Sequence, residues 1–101
     1  MAPSRADTVE LPDRHAKQLN NPPPPYPGLS KRMRESGRVL VYALIETNGT
    51  ASEAQIKTSS GYDRLDQAAL KAVLGWRFVP GKRAGVPEAM WYEIPLDFVL
   101  D

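Results

Sequence analysis

Three sets of side chains in this sequence could do chemistry. Ser59-Ser60-Gly61 offers hydroxyl nucleophiles, Asp63 and Asp66 offer a carboxylate pair for proton transfer or for Ca²⁺, and His15 offers a base or a metal ligand. A serine nucleophile needs a base and an oxyanion site. The sole histidine, His15, sits in a polar N-terminal stretch with no partner beside it. There is no cysteine, so disulfides, thiolate zinc sites and a thiol nucleophile are excluded. No Gly-rich phosphate loop occurs either. The spacing around Asp63 fits a helix start: Thr58–Gly61 break the preceding pattern, Asp63 stands at the N-cap, and Asp66 can reach back to it. No catalytic residue, metal ligand or cofactor is expected, and the chain does not read as an enzyme.

What remains is the chemistry of the backbone, and one stretch presents it. Met90 to Asp101 places Tyr92, Ile94, Leu96, Phe98 and Leu100 on alternate positions, with Trp91, Glu93, Pro95, Asp97 and Val99 between them. That alternation predicts a strand with one face on a core. Pro95 contributes no N–H to a ladder, which predicts an edge strand. An open edge is either blunted or serves as a rail for another chain.

Such an edge needs elements to hold it. Residues 1–21 are polar, carry Pro3 and Pro12 and show no periodicity, which predicts a flexible linker or tail, with the folded domain over 22–101. Pro22–Pro25 favour an extended polyproline lead-in. Tyr26, Leu29 and Met33 are spaced for the inner face of a short helix that starts near Pro27 and stops at Gly37. Val39, Val41, Ala43 and Ile45 define the inner face of a strand over Arg38–Thr47. Asn48-Gly49 predicts a type I′ hairpin turn into a return strand over Ala51–Thr58. Leu65, Ala68, Ala69, Ala72, Val73 and Trp76 recur at helical spacing, widened by Leu70 and Leu74. Gly75 predicts the end of that helix. Trp76, Phe78 and Pro80 anchor the exit, and Lys82–Pro87 form a turn. The order α-β-β-α-β is that of an α+β fold, two helices on a three-stranded antiparallel sheet.

Lys and Arg total 13 against 12 Asp and Glu, a net charge of +1. The basic residues are offset by acids and the aromatics fall on core positions, so no nucleic-acid partner is implied. No run of about 18 apolar residues is present to span a bilayer.

An ordered set of motifs resembles the C-terminal domain of the TonB energy-transducer family. The set is Pro24-Pro25-Tyr26-Pro27, Gly37-Arg38-Val39, Asn48-Gly49, Ser59-Ser60-Gly61-Tyr62, Leu65-Asp66 with Ala68-Ala69-Leu70, Trp76-Arg77-Phe78 with Pro80, Gly85 with Pro87, and Pro95-Leu96 with Phe98. It spans roughly residues 22–100 in the family's order. The resemblance implies a periplasmic domain, its parent anchored in the inner membrane by a segment absent from this chain and coupled to a proton-driven motor of the ExbB and ExbD type. Its partner would be an outer-membrane TonB-dependent transporter, whose N-terminal box peptide adds as a strand to Met90, Trp91, Tyr92, Glu93, Ile94, Leu96, Asp97, Phe98 and Val99. Pro24, Pro25, Tyr26 and Pro27 would lie near the transporter. The sequence lacks the glutamine that some members carry before the tyrosine. The competing expectation is an oligomerisation or scaffold module, a homodimer in which the same edge pairs with its own copy.

Overall fold

The computed structural model describes residues 8–15 and 19–100. The elements run β1 (Val9–Glu10), α1 (Gly28–Arg32), β2 (Gly37–Ile45), β3 (Ala51–Thr58), α2 (Asp63–Gly75), β4 (Lys82–Arg83), β5 (Val86–Pro87) and β6 (Met90–Phe98). The main sheet is antiparallel in the order β3-β2-β6. The two helices and the three long strands keep the expected α-β-β-α-β order.

The inner face of the sheet follows from alternation. Val39, Val41, Ala43 and Ile45 of β2 are fully buried, with Ile94, Leu96 and Phe98 of β6 beside them. Helix α2 covers β3 and β2 with Leu65, Ala69 and Val73, all fully buried, while Leu74 stays exposed on its far side. Trp76 and Phe78 close one end of this core. Gly49 lets the hairpin approach that exit closely: its carbonyl accepts from Phe78 N–H at 2.8 Å, and an added Cβ would stand 2.5 Å from the Phe78 carbonyl oxygen.

Four local expectations are corrected. The β2–β3 turn is not type I′, because only Gly49 has a positive φ, +83°, and Asn48 does not. Gly49 N–H donates to Glu46 C=O and Glu46 N–H to Thr50 C=O, giving a three-residue loop with a left-handed glycine. Asn48 acts through its side chain, which accepts from Thr50 N–H at 3.1 Å. The paired positive φ values of a type I′ turn occur instead at Ala84 and Gly85, between β4 and β5.

Helix α1 has only five residues, and its inward position is Ser30. Leu29 and Met33 are exposed, so Tyr26 alone of the expected trio packs against the core. The helix stops before Gly37. Arg34 takes the left-handed position (φ +56°), with Glu35 N–H bonded to Ser30 C=O and Arg34 N–H to Lys31 C=O.

At α2 the N-cap is Tyr62 and has no side-chain cap, so Asp63 already lies inside the helix. The buried Asp66 reaches back beyond it, accepting from Ser60 N–H at 3.0 Å and from the hydroxyls of Ser59 and Ser60.

The fourth correction concerns the N-terminal stretch. β1, β4 and β5 form a second small antiparallel sheet, pairing Val9 with Arg83 and Glu10 with Lys82. Asp13 exchanges backbone hydrogen bonds with Val79, and the Asn21 side chain bonds both backbone groups of Arg77. Thr8, Val9, Glu10, Asp13, Arg14 and Asn21, expected to be tail, thus contact the domain. Their partners lie more than fifty positions away, beyond the reach of local patterning. Residues 1–7 and 16–18 of that stretch lie outside the described residues.

Candidate functional site

The free side of β6 is built by its pairing with β2. Nine consecutive pairs run from Gly37↔Phe98 to Ile45↔Met90 without a shift of register. Pro95 stands opposite Leu40, and its carbonyl accepts a hydrogen bond from Arg14 Nη2 at 2.9 Å rather than from β2. In an antiparallel strand each residue turns its N–H and C=O to the same side. The backbone groups of Trp91, Glu93, Pro95 and Asp97 therefore face away from β2, and those of the even-numbered residues face it. The missing N–H of Pro95 falls in the outward series, where it costs the sheet nothing. The edge offers the N–H groups of Trp91 and Glu93 on one side of Pro95 and that of Asp97 on the other.

The expected site residues divide accordingly. Ile94, Leu96 and Phe98 are buried, and Tyr92 packs partly against the core, so these side chains hold the strand. Trp91, Glu93, Asp97 and Val99 are exposed, and Met90 is half-buried. On the uncovered face of the sheet Trp91 stacks on Tyr42 with ring centres 5.0 Å apart. Lys57 of β3 lies 5.3 Å over the Tyr42 ring and forms an ion pair with Glu93. The Glu93 carboxylate, as hydrogen-bond partner, raises the Lys57 pKa above its ordinary value. Asp97 accepts from Arg38 at 2.7 and 3.1 Å. The Arg38 hydrogen bond holds the Asp97 carboxyl below the ordinary carboxylate range, against partial desolvation, with the Arg38 and Arg14 charges adding to the effect.

The proline segment comes to the same end of β6. Tyr26 meets Phe98 edge-on, with centroids 5.4 Å apart and planes at 89°, and its hydroxyl donates to the Glu35 carbonyl. Trp76 Nε1–H donates to Pro22 C=O at 2.7 Å. Pro23 and Pro24 then line a cleft of about 320 Å³ whose other wall includes Arg14, Trp76, Pro95 and Asp97. The two sets of residues expected to touch a partner thus adjoin one another in space.

The remaining candidates do not assemble a reactive centre. Ser59 and Ser60 are tied to Asp66 in a turn, while His15 accepts from Arg14 Nε and its own N–H bonds the Asp13 side chain. Among the described residues no group of three or more His, Asp or Glu is placed to hold a metal ion.

Residues 22–100 match the family described as Gram-negative bacterial TonB protein C-terminal. The chain belongs to this TonB C-terminal family. It is 44% identical over 90 residues to Protein tonB2 of Pseudomonas aeruginosa, covering 89% of this chain and 33% of that protein. To Protein TonB of Vibrio cholerae it is 35% identical over 78 residues, covering 77% and 32%. The chain therefore spans about a third of the length of these curated relatives. The solution structure of the Pseudomonas aeruginosa TonB C-terminal domain has the same fold, with a TM-score of 0.69 at 26% identity over 82% of this chain and 84% of that one. The Helicobacter pylori TonB C-terminal domain gives 0.56 at 25% identity, over 74% and 78%. TonB proteins are transducers rather than enzymes.

Sequence reasoning missed Arg14, Asn21 and Trp76 as parts of the TonB-domain edge. Trp76 joins the core, as its helical spacing implies, but its indole also bonds Pro22. Asn21 beside the proline run was the one available signal, since a side-chain amide there can hold an extended segment. Arg14 had none: its partner carbonyl is 81 positions away.

Proposed function

We propose that this chain is the periplasmic energy-transducing domain of a TonB protein. It takes the N-terminal box peptide of an outer-membrane TonB-dependent transporter as an added strand on β6. It then passes on force from an inner-membrane proton-driven motor of the ExbB and ExbD type, coupled through a part of the parent outside this chain. The observation that carries the reading is the regular nine-residue edge of β6, which pairs with no second strand among the described residues, with the Pro24–Pro27 segment at one end. Strand addition suits pulling, because several backbone hydrogen bonds along one line share the load while outward side chains select the sequence. Trp91, Glu93 and Asp97 supply an aromatic surface and two carboxylates for that selection. Siderophore or haem uptake would be the service rendered, according to the transporter gripped.

An amide-resolved NMR titration of the labelled chain with a transporter box peptide tests the reading. Shifts concentrated on Met90–Val99, with a smaller set over Pro24–Leu29, are expected. A peptide that binds instead along β3, or on α2, would remove it. The competing self-pairing of β6 predicts a dimer, so sedimentation across the micromolar range decides between the two: a monomer throughout leaves only the transporter reading.

A further inference from the structure

The contact to the Pro95 carbonyl obstructs the rail. Arg14 reaches the Pro95 carbonyl on the side where a new strand would dock, at 2.9 Å, while its guanidinium lies 5.6 Å over the Trp76 ring. The segment carrying it is fixed on both sides of this contact. Asp13 is bridged to Val79 just before it, and Asn21 is bonded to Arg77 beyond it. An added strand running the whole length of β6 must pair with the outward groups of Pro95 and Asp97, and that space holds the Arg14 side chain. The Trp91–Glu93 part of the edge has no such cover among the described residues.

We infer that Arg14 is a displaceable guard on the C-terminal half of the open edge. An incoming strand pairs first beside Trp91 and Glu93, and extends past Pro95 only when Arg14 leaves the Pro95 carbonyl. The inference rests on the strand-addition reading of β6 and adds a regulatory step to it. The guard suits its purpose because one hydrogen bond to β6 and one cation–π contact with Trp76 are cheap to break, whereas a paired strand would not be. It also accounts for Arg14 being partly desolvated, a state that lowers its guanidinium pKa from the ordinary value.

The test uses the full chain, its Arg14→Ala variant and its Arg14→Met variant, with the same transporter box peptide. Methionine keeps an unbranched stem against Trp76 and removes the donors, so the two variants separate packing from the hydrogen bond. Amide spectra first establish that each variant is folded. Losing one such hydrogen bond from the free state should tighten binding about two- to tenfold in both variants. In the unsubstituted chain the Arg14 guanidinium Nη–H signal should move in step with Leu96 and Asp97, not with Trp91. Equal or weaker binding by both folded variants would overturn the guard while leaving strand addition in place. So would shifts reaching Asp97 with the Arg14 signal unmoved. A peptide that binds none of the three proteins would remove the strand-addition reading, and the guard with it.

Discussion

Strands β3 and β6 both lie at an edge of the main sheet, yet they are built differently. β3 is bent by two bulges. Lys57 is the extra residue between the Leu40↔Thr58 and Val41↔Ile56 pairs, and Ser52 the extra one between Leu44↔Glu53 and Ile45↔Ala51. The second bulge is what turns Ala51 back towards the core, where it is buried. β3 also carries Glu53 and Lys57 on its exposed face and lies beneath α2. Bulges, charges and a covering helix are the devices that make an edge a poor template. β6 has an unbroken register, and its one internal irregularity is a proline turned outward. One edge is blunted by its own bulges and charges; among the described residues the other is covered by a side chain from far away. That asymmetry lets a domain offer a strand rail on one side without inviting pairing on both.

The largest expected effect breaks the closed side. Leu65 is fully buried where α2 meets the sheet. Leu65→Ala should destabilise the domain by about 2–5 kcal/mol and lower Tm by about 10–30 °C. Hydrogen exchange should then speed up in β3 more than in β6, because α2 covers β3 and β2. Equal acceleration of both edges would show that the helix does not protect β3 selectively. Asp66→Ala comes next. It leaves the hydroxyls of Ser59 and Ser60 and the Ser60 amide without their acceptor, at about 1.5–3 kcal/mol, read by chemical denaturation. The loss should again favour opening at the β3–α2 junction.

The contrast between the edges was partly legible beforehand. Period-two patterning gave β6 its inward residues and Pro95 gave its edge position, because both signals are local. The inner face of β2 and the stripe of α2 were readable for the same reason. The bulges of β3 were not: Ser52 and Lys57 look like ordinary outward residues, and only pairing with β2 reveals them as extra. The turn at Asn48-Gly49 departs from type I′ where Gly49, its one left-handed residue, meets Phe78 closely, a contact no local pattern reveals. The β1-β4-β5 sheet rests on two-residue strands, too short to carry a period. Of the candidate site, the edge and the proline segment were visible; the Arg14 contact, joining residues 14 and 95, was not.

A smaller effect sharpens the open side. Glu93→Pro removes one outward N–H and leaves the bonds to β2 intact, since Glu93 faces away from that strand. Affinity for the box peptide should fall about tenfold, the worth of roughly one hydrogen bond, with little change in Tm beyond loss of the exposed Lys57 pair. A calorimetric titration beside a melting curve separates the two quantities. Large destabilisation would mean that Glu93 bonds β2 and that the outward series is the even-numbered one.

The smallest effect is electrostatic and reads the same edge from its end. Asp97 has its carboxyl pKa depressed by the Arg38 hydrogen bond, by the Arg38 charge and by the Arg14 charge, against desolvation. A depressed folded-state pKa means that the group stabilises the fold fully above its unfolded value of about 3.9, and that this contribution is lost as pH falls through the folded value. Acidification should therefore loosen the β2–β6 end below about pH 4. Carboxyl ¹³C titration should place the Asp97 midpoint below the free-peptide value, with Arg38→Ala raising it more than Arg14→Met. The order matters because the Arg38 hydrogen bond is direct, whereas Arg14 acts on Asp97 through space while bonded to the Pro95 carbonyl. Once a box peptide has displaced Arg14, Arg14→Met should cease to move the Asp97 midpoint, and Arg38→Ala should still do so. A midpoint equally indifferent to Arg14 in the free and bound chains would mean that the arginine does not reside at the edge in solution, and β6 would then be open along its whole length.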